Sequence, residues 1–482
     1  MAINFKKILL AGTALVAIGY ATQSYAAEQN DAVNDDGIPT VLTVGNSAKF
    51  TAPAAGTDEI FTVADGVAVG DTGIVVSATT ANAVGTLKFL GSSVATGTIG
   101  AAGTNDLGIL EANGGAGKIV TISGAVNAVT TKISGVGTLT LTGAVTGNAA
   151  FSAAGALNID GGIAGNTDFA GNAGTMVVAD AKNVTGTVDS TVASGGTLTL
   201  SGTTTVSGNI GATSVLTAIN AGATGKTATF SGVTKATTTN VTGTGTIAFA
   251  NAANTTNVAF GANDGIVTLA TGGTFTGTVD ATTASVGTLT LLGATTVTGA
   301  VGATQKLKVV NAGVADKIGT FSSTVNAATV NVTGTGEAIF NGALTATDVV
   351  FGAAGKATLN ESATGAFNFA SNAGTITLAS GKSITGAVDS VGGANGTLTL
   401  AGGTQTVSGI VGGSAAVAVV NAGATGAAST FSSAVTATTL NVTGNGSVAL
   451  NGNTAGALMF GALSTGTVTI ADGKSFTGSM NG

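Results

Sequence analysis

The hydrophobic pattern of this 482-residue chain alternates with period two over short stretches and is broken every few residues by small polar residues or glycine. In Gly196-Thr197-Leu198-Thr199-Leu200 the two leucines fall on one side and the two threonines on the other, as in a half-buried β-strand. Val, Thr, Ile and Phe fill these runs, and Gly, Asn, Asp and Ser separate them, supplying tight turns and positive φ. Beyond the first residues no long stretch carries a 3.6-residue period with capping signals. The pattern predicts an all-β chain with Val, Leu, Ile, Ala and Phe inside and Thr and Ser outside. Proline occurs only at Pro39 and Pro53, which suits a continuous ladder in which nearly every later N–H donates.

The pattern is also repeated. VGTLKFLG at 84–91 returns as VGTLTLLG at 286–293, and GTLTL recurs at Gly196 and Gly396. Unit starts therefore lie at 85, 196, 287 and 396, giving units 85–195, 196–286, 287–395 and 396–482. NVTGTG at Asn240 and Asn331, NVTGNG at Asn441, and NAG at Asn220, Asn311 and Asn421 keep the same register. Residues 151–190 align without gaps to 351–390, so an ancestral pair was duplicated.

Long and short units differ by a discrete amount. Asn240 to Phe275 and Asn441 to Phe476 each span 35 residues, whereas Asn331 to Ile384 spans 53, an excess of 18. A stack of coils accepts an insertion of that kind because each coil touches only its neighbours. The expected fold is a right-handed parallel β-helix, a β-solenoid with coils of roughly 18 residues, about five per short unit and six per long one. Residues 27–84 echo the repeat weakly and read as an N-terminal tail and capping coil. The repeats continue to Met480-Asn481-Gly482 without a comparable cap.

At the N-terminus Lys6 and Lys7 precede an apolar run from Ile8 to Ile18 and then Ser24-Tyr25-Ala26, the form of a secretory signal peptide over residues 1–26. The run is shorter than the ~20 residues a spanning helix needs, so the mature chain is expected to carry no transmembrane segment. The exported chain would then lie at a bacterial cell surface, in the outer membrane or outside the cell.

Composition removes several function classes. There are 78 glycines, no Cys, no His and no Trp, and both tyrosines precede residue 27. The mature chain holds 13 lysines against 22 acidic residues, a net charge of −9, which excludes the basic face a nucleic-acid partner needs. Without His or Cys there is no Ser-His-Asp or Cys-His catalytic arrangement and no common zinc site. A paired-carboxylate hydrolase stays formally open, with Asp35-Asp36 and Asp58-Glu59 as the local candidates, read as an acidic tail and a turn. The Asp of TGxVD, at Asp189, Asp280 and Asp389, is a calcium candidate better read as a turn residue. GATGKT at Gly222 lacks the spacing and βαβ context of a nucleotide loop. Thr-x-Thr pairs at Thr138/Thr140, Thr197/Thr199, Thr288/Thr290 and Thr397/Thr399 raise an ice- or crystal-binding face, but recur once per unit and not once per coil. The Asn of NVTG fits a glycan acceptor and is read as a turn residue. No catalytic, cofactor-binding or metal residue is assigned.

NVTGTGTIAF, VVFGAAGKATL, TITLASGKSITGAVDS and VSGNIG, together with the signal peptide, resemble the passenger region of rickettsial outer-membrane protein B and related surface antigens, over most of residues 85–482. The resemblance implies an autotransporter β-solenoid that forms a surface layer and contacts host cells. The translocator barrel of that family, with its aromatic girdles, is not recognisable here. The expected function is a cell-surface structural or adhesive protein with no enzymatic activity. Its expected partners are itself, by lateral or end-to-end assembly, and host-cell or envelope components. A self-assembling matrix or amyloid-like fibre subunit is the alternative. A polysaccharide-active solenoid enzyme comes third.

Overall fold

The computed structural model describes residues 60–69, 84–100, 106–251, 254–461 and 464–481, plus the backbone of three short strands at Glu28–Asn30, Thr40–Leu42 and Ser47–Lys49. The expected signal peptide, residues 1–26, and the acidic candidates Asp35, Asp36, Asp58 and Glu59 lie outside the described residues. So does most of the tail and capping segment.

Among the described residues every pairing between strands is parallel, with one isolated antiparallel bridge at Ser390–Ala415, and the strands stack as a β-solenoid of about 19 turns, consistent with a right-handed parallel β-helix. At ~4.8 Å per rung, 19 turns make a rod about 90 Å long. The alternation read from the sequence sets the inside and outside. In Thr138–Leu141, Thr246–Phe249 and Thr375–Leu378 the first and third residues are partly exposed and the second and fourth are buried. The core is one continuous column of Val, Leu, Ile, Ala and Phe, with phenylalanines stacked on successive rungs: Phe151 on Phe169 at 4.5 Å and Phe351 on Phe369 at 5.0 Å.

Each coil has three faces. The first carries Leu87 and runs through Leu110, Thr131 and Ala149 to Thr167, Val188 and Ile210. The second carries Leu198, paired with Met176 and Ile219. The third carries Leu289, paired with Val267 and Val310. Long strands such as Val126–Ile133 and Val435–Val442 turn a corner and contribute to two faces.

Coil length departs from the expectation. Thr140 pairs with Asn158, 18 residues on, but Thr204 pairs with Ala228, 24 on, and Ile60 with Thr86, 26 on. Fifteen rungs separate the strand Val84–Phe89 from Asn395–Leu400, an average near 21 residues per coil. The coil inserted in the long unit is the short kind. Asn240 reaches Asp280 in two rungs, whereas Asn331 reaches Asp389 in three, through Val350 and Asn368. The other coils are longer because their corners carry extra residues, such as the turn from Gly222 to Lys226.

The unit is consequently not a whole number of coils. A spacing of 91 corresponds to four and a third coils and one of about 110 to five and a third, correcting the expected five and six. Equivalent leucines therefore move round the rod: Leu87 on the first face, Leu198 on the second, Leu289 on the third and Leu398 on the first again. The valine of TGxVD does the same, with Val188 on the first face, Val279 on the second and Val388 on the third.

The invariant start of GTLTL has a local cause. Gly196 has φ +71°, and a Cβ there would stand 2.2 Å from the Phe169 ring. Gly287 against Phe260 and Gly396 against Phe369 repeat the arrangement. Only glycine lets the corner turn left-handed while the ring below fills the end of the core.

Candidate functional site

Beyond the strand itself, what each unit repeats on its outside is a ladder of polar side chains along the rod. In the second unit Asn220 Nδ2 donates to Thr199 Oγ1 at 3.1 Å, and Asn240 Nδ2 donates to Asn220 Oδ1 at 2.9 Å. In the third, Asn311 donates to Thr290 at 3.0 Å and Asn331 to Asn311 at 2.8 Å. In the fourth, Asn421 donates to Thr399 at 3.2 Å and Asn441 to Asn421 at 2.8 Å. The asparagines of NVTG are thus strand residues in a hydrogen-bonded row, not turn residues as expected from sequence. Parallel in-register stacking places identical amides one above another, so each satisfies its neighbour.

The first unit keeps the geometry and changes the chemistry. Lys88, Glu111 and Lys132 occupy the positions of Thr, Asn and Asn on successive rungs. Lys88 Nζ lies 3.2 Å from Glu111 Oε1, and Ser134 Oγ donates to the same carboxylate. Desolvation works to raise the Glu111 pKa, but the hydrogen bonds from Ser134 and Lys88 and the Lys132 charge outweigh it and hold the carboxyl below its ordinary value.

The carboxylates of TGxVD are turn acceptors. Asp389 accepts from the backbone N–H of Ser390 at 2.8 Å, of Ser414 at 3.0 Å and of Ala415 at 3.4 Å. Asp189 accepts from Ser190, Thr213 and Ser214, and Asp280 from Ala281, Thr304 and Gln305. Each clips the corner of the coil above to its own. Burial alone would raise Asp389, yet these donors leave it below the ordinary aspartate value. Among the described residues no three His, Cys, Asp or Glu side chains gather as a metal site.

One acidic pair escaped the sequence reading: Asp168 and Asp189 are partners on adjacent rungs of the first face. The 21-residue separation hid it, since no local motif joins TDFAG to TVDS. Desolvation raises Asp168, but Thr191 outweighs it by donating its N–H at 2.9 Å and its hydroxyl at 2.6 Å, leaving the carboxyl depressed. A glycosidase acid needs the opposite shift.

Lys226 of GATGKT forms an ion pair with Asp180, and the loop joins the strands Leu216–Ala221 and Thr227–Phe230 with no helix following. The Thr-x-Thr pairs of the second, third and fourth units face outward on three different faces, so no single face aligns them. A shallow groove of about 320 Å³ lined by Val67, Val94, Ile119 and Thr121 among others holds no carboxylate. No helix of the described residues is long and apolar enough to cross a membrane. No family model, curated protein or solved structure matches the chain.

Proposed function

We propose that the protein is an exported cell-surface structural or adhesive component, a rod whose work is done by its repeated outer faces and not by a reaction centre. The observation that carries this reading is the rotating polar ladder. One short hydroxyl–amide row is delivered to all three faces of a rigid rod, a design that multiplies weak contacts around an axis. The signal-peptide form of residues 1–26 and the resemblance to surface-antigen passengers support export. A rod of parallel strands with this outer chemistry suits a layer or coat, where stiffness and repetition matter more than a pocket.

Immunogold electron microscopy of intact cells, with protease shaving of the surface, tests the reading. Label on the envelope, lost on shaving, is expected. Label confined to the cytoplasm would overturn it. Detached unbranched fibres with cross-β diffraction would favour the fibre-subunit alternative.

A further inference from the structure

The charges of this chain are unevenly spread along the rod. Between Asp389 and Asp472 there is no charged residue at all, and the next longest neutral run, 190–225, is less than half as long. Residues 390–471 cover four successive rungs of the first face, through Thr399, Asn421, Asn441 and Met459. Positions charged elsewhere are neutral here. Earlier in the rod Asp65–Lys118 and Asp180–Lys226 form ion pairs at equivalent corners, and the counterparts of the second pair are Ser380, near the end of the third unit, and Ala427 in the fourth.

We infer that the first face of the fourth unit is a self-association surface whose occupant is the same face of a second copy of this chain. Three features of that face argue for a second copy. Its outward column Thr399–Asn421–Asn441 is uncharged and self-complementary, because the amide Nδ2 groups carry a second N–H beyond the ladder bond and amide oxygens can accept a second one. The neighbouring column, Thr397, Val419 and Thr439, is short, so two sheets can approach to the ~10 Å of face-to-face packing. Elsewhere the net-negative chain carries charges that disfavour bringing two copies together, and here it carries none. The inference rests on the structural reading above and names the surface through which such a coat would be built.

Four rungs of one face offer on the order of 400 Å² per partner, about half of a standard interface, so a single contact is weak and gains strength only by repetition.

The test transplants the charged ladder of the first unit, which the same backbone already carries, into the fourth: T399K/N421E/N441K in the full mature chain. Sedimentation equilibrium up to about 1 mM should show wild-type self-association, at least about tenfold weaker in the triple variant, because charges would have to be desolvated in the contact. Circular dichroism should be unchanged. The reverse variant K88T/E111N/K132N should associate more strongly than wild type, and it decides the matter if the first variant misfolds. A wild-type chain monomeric throughout, or equal association in wild type and both variants, overturns the proposal. Association is measured on purified protein and localisation on cells, so failure of one is distinguishable from failure of the other.

Discussion

The first and fourth units meet the solvent on the same face of the rod, fifteen rungs apart, with the same backbone and opposite outer chemistry. Lys88, Glu111 and Lys132 form a charged column in one, and Thr399, Asn421 and Asn441 form an amide column in the other. Inward, the two are alike: Leu87 and Leu398 are both fully buried. The fold is thus specified by the inward column and by the glycines at the corners, while the outward column is free to vary. A difference in what these two stretches of the face bind would follow from that outward column.

The comparison breaks most severely where both units share a requirement. Gly396→Val should destabilise the fourth unit by about 4 kcal/mol, combining a strained positive φ with overpacking against Phe369. Hydrogen exchange should show the loss confined to the neighbouring coils, because a solenoid's stability is a sum of nearest-neighbour terms. Protection lost along the entire rod would contradict that local accounting. Next comes the inward column itself: Leu398→Ala should cost about 3 kcal/mol by opening a cavity in the core. Its outward neighbour Thr399→Ala should cost less than about 0.5 kcal/mol, measured on the same denaturant curves.

The inward column was legible in the sequence because period two and short turn signals leave little choice. The size of the inserted coil was legible too, since 18 residues is the rung from Val350 to Asn368. The rotation of units was not, because it depends on corner lengths that vary between coils and that no local pattern reports. The Asn-to-Asn ladder and the Asp168–Asp189 pair were hidden for a related reason. They join residues a full coil apart, and without the rung length their neighbours cannot be named.

The turn clip sharpens the comparison at intermediate cost. Asp389→Asn removes a carboxylate that holds the backbone N–H groups of Ser390, Ser414 and Ala415, and should cost about 1 kcal/mol. Because the Asp389 pKa is depressed in the folded chain, its contribution is complete above the ordinary aspartate value of about 3.9. It fades as pH falls through the lower folded value. The Asp389→Asn variant should therefore show a flatter acid limb of the stability curve. An acid limb identical to wild type would show that the clip does not couple protonation to folding.

An effect nearly as small belongs to the charged column. Glu111 is depressed by Ser134 and Lys88 against the pull of its own desolvation, so its contribution also lies on the alkaline side and is lost as pH falls through the folded pKa. The Lys88–Glu111 pair is partly exposed, and screening limits it to about 0.5 kcal/mol. A double-mutant cycle with Lys88→Thr and Glu111→Asn separates that coupling from the Ser134 hydrogen bond, which only the Glu111 change removes. The coupling should shrink as salt is raised, while the Thr–Asn–Asn ladder of the fourth unit, probed with Asn421→Ala, should hold its value. Equal salt dependence in both columns would mean that charge does not distinguish the two ends of the rod, and the contrast between the first and fourth units would reduce to sequence drift on a common scaffold.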